Sequence, residues 1–167
     1  MQFSLKIKAA EDYLSTNDPK LAKVIKKYRP CRISPHDDHY GELVSSIVSQ
    51  QLSTKAAATI WSRVLKIFND KVPGPLQLHS ADTEQLRSCG VSYQKIGYMK
   101  DLAAHILDGR LDMAHISSLP DDELIEQLTS VKGIGIWSAH MFMIFSLGRL
   151  DVLPVGDLGI KKGIMQL

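Results

Sequence analysis

The stretch from Leu124 to Lys161, LIEQLTSVKGIGIWSAHMFMIFSLGRLDVLPVGDLGIK, leaves this chain few ways to fold. It predicts a helix, a tight glycine turn, a second helix, and a Pro/Gly loop that delivers Asp157 to the start of a further helix. Leu124, Ile125 and Leu128 share one face of the first helix, and Asp121, Asp122 and Glu123 crowd its first turn, where negative charge suits the helix dipole. Gly133 and Gly135 flank Ile134 in the turn; glycine accepts positive φ and lets backbone approach a partner closely. The second helix begins near Ile136 and carries Trp137, Met141, Ile144 and Phe145 at helical spacing. Free amides and the positive end of its dipole meet at the turn, which is the physical recipe for a phosphate site.

The remaining sequence predicts an all-α chain of eight or nine helices, because no stretch alternates with period two for long enough to form a strand. Residues 6–16 and 19–28 form two short helices, the second opened by Asp18-Pro19 and ended by Tyr28-Arg29-Pro30. The polar connection RPCRISPHDDH holds His36, Asp37, Asp38 and His39, but on no helical or CxxC scaffold, so it reads as a solvated loop and not as a metal site. From Tyr40 onward Leu43, Val44, Ile47 and Val48 make an apolar helical face that ends in Gln50-Gln51-Leu52. Ser53 caps the next helix, in which Ala56, Ala57, Ile60, Trp61, Val64, Leu65 and Phe68 recur at helical period. Lys71 to Pro75 is a break, Ser80 an expected N-cap, and Gly90 the end of that helix. Ser92 opens another, with Ile96, Met99, Leu102, Ala103 and Ile106 inward, closed by Gly109.

Bulk properties narrow the function only slightly. A net charge of +2 and 44% apolar residues describe an ordinary globular protein of one core or a core with a satellite lobe, so any nucleic-acid surface has to be local. Cys31 and Cys89 stand alone, giving neither a disulfide framework nor a metal-ligand spacing. No apolar run reaches membrane length, and MQFSLKIKAAEDY lacks the apolar core of a signal peptide, so an intracellular protein without membrane contact is expected.

Singly, each motif has a plain structural alternative: glycine ends many helices, tryptophan packs in cores, and aspartate before a helix is an ordinary N-cap. Their joint order is more telling. IVSQQLSTKAAATIW, LTSVKGIGIWSAHMFMIFSLGR and DVLPVGDLGIKKG together resemble the helix-hairpin-helix DNA glycosylases with a Gly/Pro-rich loop and a catalytic aspartate, in particular the 3-methyladenine DNA glycosylase II type. The resemblance covers roughly residues 40–165. It implies a two-lobed all-helical fold with the active-site cleft between lobes, residues 1–39 adding N-terminal helices to the second lobe and 40–167 forming the glycosylase domain. The chain ends ten residues after Asp157, where members of that family continue, so this domain is expected to be short at its C-terminal end.

Carried over by position, the resemblance makes Asp157 the catalytic carboxylate and assigns DNA contacts to Gln51, Lys132, Gly133, Ile134, Gly135 and Ser138. Gln51 falls in the turn that wedges into the space left by the flipped nucleotide, and Trp137 and Met141 fall in the base pocket. Members that also cut the strand have a lysine two residues after the second hairpin glycine; here that residue is Trp137, and covalent lyase chemistry lacks its nucleophile. The implied activity is monofunctional: hydrolysis of the glycosidic bond of alkylated purines such as 3-methyladenine or 7-methylguanine, leaving an abasic site. The implied partner is damaged double-stranded DNA, bound by a monomer in the nucleus of a eukaryote or the cytoplasm and nucleoid of a prokaryote. No cofactor is implied, although a monovalent cation suits the contact between hairpin and phosphate. Two alternatives stay open at the level of sequence. One is a non-catalytic hairpin module that binds DNA; the other is a glycosylase for deaminated or mismatched bases.

Overall fold

A computed structural model describes residues 3–167 and contains ten helices, with no strand among the described residues. The chain divides into two compact units, one formed by the residues up to Asp37 together with His140–Leu167, the other by Asp38–Ala139.

The second unit holds α3 (His39–Ser49), α4 (Thr54–Ile67), α5 (Pro75–Ser80), α6 (Thr83–Ser88), α7 (Tyr93–Leu107), α8 (Asp121–Ser130) and the start of α9 (Ile136–Phe145). Its organising element is α7, which packs against α3, α5 and α6. The inward face expected for α7 is buried at Ile96, Met99, Leu102 and Ala103, and Val44, Ile47, Val48, Val64, Leu78, Leu86, Leu124 and Leu128 are fully buried apolar side chains contributed by α3–α6 and α8 of this unit. Side-chain caps set where the helices begin. Asp38 accepts from the Gly41 amide at 2.8 Å, Ser53 from Ala56 at 3.3 Å, Asp82 from Gln85 at 2.7 Å and Ser92 from Lys95 at 3.3 Å. Each such cap stabilises its helix by about 1 kcal/mol.

Two expectations fail here. Ser80 is not an N-cap: it closes α5, its hydroxyl donating back to the Leu76 carbonyl at 2.7 Å, and Asp82 caps the helix that follows. The helix count is ten rather than eight or nine because Gly74-Pro75, read as part of a break, starts α5. Proline without its N–H is well suited to a first helical position, and a six-residue helix that buries one side chain, Leu78, shows no period.

The first unit holds α1 (Phe3–Asn17) and α2 (Pro19–Tyr28), packed on each other, the rest of α9, and α10 (Leu158–Met165). Asp18 caps α2 through the amides of Lys20 and Leu21, at 2.7 and 3.1 Å. Arg29 pairs with Glu11 and Asp12, joining the end of α2 to α1. The connection through residue 36 is fastened to the end of α9, the His36 amide donating to the Ser146 carbonyl at 3.1 Å.

Candidate nucleic-acid interface

The hairpin between α8 and α9 is built by an unequal pair of glycines. Gly133 has φ +84°, a left-handed conformation, and a Cβ there would run into the ring of Tyr98. Only glycine fits without displacing that ring. Gly135 has no neighbour within reach of an added Cβ, so the backbone at that point stands clear for a close approach. Between them Ile134 turns inward and is buried, its amide donating to the Val131 carbonyl at 3.1 Å. The chain then enters α9, whose first amides lack intrahelical acceptors as at any helix start.

The turn is braced from beneath by one edge of α7. Lys95, Tyr98 and Asp101 lie three residues apart along that edge. Tyr98 fills the space under Gly133, and its hydroxyl accepts from the Gln94 side-chain Nε2 at 2.5 Å. The Asp101 carboxylate accepts the backbone N–H of Lys132 at 2.9 Å and lies 3.6 Å from the Lys132 ammonium. Asp101 is itself anchored by His105, a buried side chain whose Nδ1 lies 2.8 Å from the Asp101 carbonyl and 3.5 Å from its carboxylate. A guanidinium can only donate, so His105 Nε2, 2.9 Å from Arg110 Nη1, accepts and Nδ1 donates.

The turn after α3 is joined to the hairpin directly. Gln50 Nε2 donates to the Gly133 carbonyl at 2.7 Å, across 83 residues of sequence. Gln51 follows, exposed and with φ +57°, and Leu52 closes the turn through its amide to the Ser49 carbonyl at 3.1 Å. From α7 the Lys95 ammonium donates to the carbonyls of Val48 and Gln50, at 2.7 and 2.6 Å. Burial pushes the Lys95 pKa below the usual lysine value, while the two carbonyls favour its charged form. The Gln51 turn and the glycine turn therefore form one ledge of the second unit.

Other expected contact residues distribute as follows. Lys132, Gly133 and Gly135 are exposed and Ser138 half-buried, whereas Ile134 packs inward and offers only its backbone. Along α9 the residues Ala139, Phe142 and Met143 are buried, and Trp137, Met141 and Phe145, spaced by four, form the more open side. Trp137 is 51% exposed, so its indole is not a core filler.

In the first unit, the loop after α9 ends on Asp157. Asp157 is half-buried and caps α10: its Oδ1 accepts the Ile160 amide at 2.9 Å, its carbonyl accepts from Lys161 at 3.0 Å, and its own amide donates to the Pro154 carbonyl at 2.8 Å. Gly159 leaves room beside that oxygen, where a Cβ would press on Oδ1 at 3.0 Å. The carboxylate is thus oriented by the helix it starts.

Residues 44–167 match the HhH-GPD superfamily base excision DNA repair protein family. The chain belongs to that family. It is 39% identical over 156 residues to DNA-3-methyladenine glycosylase 1 of Schizosaccharomyces pombe, covering 92% of this chain and 68% of that protein. Among solved structures it resembles a DNA-3-methyladenine glycosidase from Bacillus halodurans, with TM-score 0.83 and 42% identity over 90% of this chain and 69% of that one. It also resembles an S. pombe 3-methyladenine DNA glycosylase in complex with abasic DNA, with TM-score 0.79 and 38% identity over 93% of this chain and 78% of that one.

Sequence reasoning missed the residues that hold this HhH-GPD ledge together: Gln50, Lys95, Tyr98 and Asp101. Periodicity marks Ile96, Met99 and Leu102 as the inward face of α7 and says nothing of the polar positions between them. Their partners lie 31 to 47 residues away in the case of Lys95 and Asp101, and no local pattern encodes that distance.

Proposed function

We propose that this chain binds duplex DNA through the Gly133–Gly135 turn, extrudes an alkylated purine, and hydrolyses its N-glycosidic bond to leave an abasic site. The observation that carries the reading is Asp157, a carboxylate fixed at a helix N-terminus by the Ile160 amide. An N-alkylated purine is cationic and leaves as a neutral base, taking the electron pair of the C1′–N bond. A strong general acid is unnecessary. The sugar passes through an oxocarbenium-like cation, which the half-buried Asp157 carboxylate stabilises. Water then adds to C1′ and loses its proton, completing hydrolysis. A neutral deaminated or mismatched base would need protonation in order to leave.

Trp137 supplies a half-exposed indole suited to an electron-poor base, a cation–π attraction of about 0.5–2 kcal/mol. It also occupies the position two residues beyond Gly135 where a lyase would need an amine. Lys132 precedes the turn and sits near Asp101, and Lys161 lies within α10, so neither replaces it. Ser138, Lys132 and the amides of the turn meet phosphate, Gln51 enters the stack, and Met141 lines the pocket beside Trp137. The protein acts as a monomer, in the compartment that holds the cell's DNA.

Methylated duplex DNA incubated with the protein should release 3-methyladenine and 7-methylguanine, and the strand should break only after alkali. Release of no base would end the glycosylase reading, and breaks without alkali would end the monofunctional one.

A further inference from the structure

The Lys95 ammonium makes bonds that the proposed chemistry does not use. Helix α3 ends without a glycine: Gln50, at its C-cap, leaves helical geometry and Gln51 turns into the left-handed region. The last carbonyls of a helix lack intrahelical donors and carry the negative end of its dipole. Lys95 supplies both missing items from another helix, donating to Val48 O and Gln50 O within 2.7 Å. On the same edge of α7, Tyr98 and Asp101 hold Gly133 and Lys132. Gln50 then spans the two turns through Gly133 O. One rigid helix edge therefore carries both turns, and the carbonyl of Gln50, the residue that directly precedes Gln51, ends on a lysine that is only partly exposed.

We propose that Lys95 is a positioning residue for base extrusion: it fixes the Gln51 turn at a set distance from the phosphate-binding turn without touching DNA. This rests on the DNA-binding half of the function proposed above. A helix cap with a purely structural role would change stability alone. A positioning role changes how well Gln51 enters the duplex once the phosphate is held.

The test uses a duplex with a tetrahydrofuran abasic analogue opposite 2-aminopurine, whose emission rises when an inserted side chain disturbs its stacking. Wild-type protein at saturation should raise the emission. Lys95→Met should cut that rise by about half or more, because extrusion and insertion cost a few kcal/mol that a displaced turn no longer offsets. Affinity for the duplex should stay within about twofold, since the phosphate contacts that dominate binding are intact. Gln51→Ala should abolish most of the rise, and adding Lys95→Met to it should change little, the non-additivity expected when one residue acts through the other. Thermal unfolding checks the fold of each variant. If Lys95→Met does not fold, Lys95→Arg makes the same comparison, keeping the charge without placing one nitrogen on both carbonyls. An emission rise equal to wild type in a folded Lys95 variant overturns the proposal, as does a wild-type protein that produces none. A wild-type protein that raises emission but releases no methylated base overturns the glycosylase reading and leaves this one standing.

Discussion

The Gly133–Gly135 turn and the Pro154–Asp157 loop each deliver a helix N-terminus, one to α9 and one to α10. Tyr98, Asp101 and Gln50, all distant in sequence, hold the first. At Asp157, bonds to Pro154, Ile160 and Lys161, three or four residues away, form the cap of α10. Around it Leu153, Val155 and Leu158 are each more than 60% exposed. Where distant residues pack against the turn, as Tyr98 does at Gly133, a change disturbs the fold, whereas a helix cap can change chemically while its hydrogen bond persists. Substitutions in the two places should therefore fail in different ways.

The largest effect is expected at Asp157. Asparagine caps a helix about as well as aspartate, so Asp157→Asn should keep its melting temperature and its affinity for duplex DNA. Release of methylated purines should fall by at least ~100-fold, about 2.7 kcal/mol of transition-state stabilisation. Single-turnover base release beside thermal unfolding checks both, and near wild-type release would reduce Asp157 to a helix cap. A smaller, mixed effect is expected at Gly133. Alanine there meets both a positive φ and the Tyr98 ring, so Gly133→Ala should lower the melting temperature and weaken DNA binding roughly tenfold, about 1.4 kcal/mol. The loss should be uniform across sequences, because phosphate contacts position and do not specify. The smallest effect belongs to Gly135, where an added Cβ meets nothing. Gly135→Ala should leave the melting temperature unchanged and weaken binding only a few-fold, about 1 kcal/mol, through the methyl standing between backbone and phosphate. If Gly133→Ala and Gly135→Ala prove equivalent in both assays, the asymmetry between the two glycines is wrong.

Much of this architecture is legible in the sequence where physics acts locally. Ser53 and Ser92 as caps, Pro19 at a helix start and Ile136 at the opening of α9 all follow from bonds between residues a few places apart. The same locality explains why Asp157 could be placed at the head of α10. Helix α5 escaped because a proline that starts a helix looks the same as one that ends a segment until the buried Leu78 is seen. The brace along α7 escaped for another reason. Lys95 and Asp101 behave as surface residues by type, and only the approach of Val48, Gln50 and Lys132 makes them internal ligands of backbone. Sequence spacing also gave no sign that residues 140–167 group with the N-terminal helices while the first turn of α9 groups with Asp38–Ala139.

Gln51 adopts φ +57°, in company with Asn69 and Asp70. Asparagine and aspartate visit this region readily, but glutamine has no such ease, and a residue held there against its preference costs on the order of 1–3 kcal/mol. Glycine would remove most of that penalty, and asparagine part of it. A redesign of this protein that sought only heat resistance would therefore select one of them at position 51, and would shorten or delete an exposed side chain of the turn. Marginal stability at this point is a condition of reach.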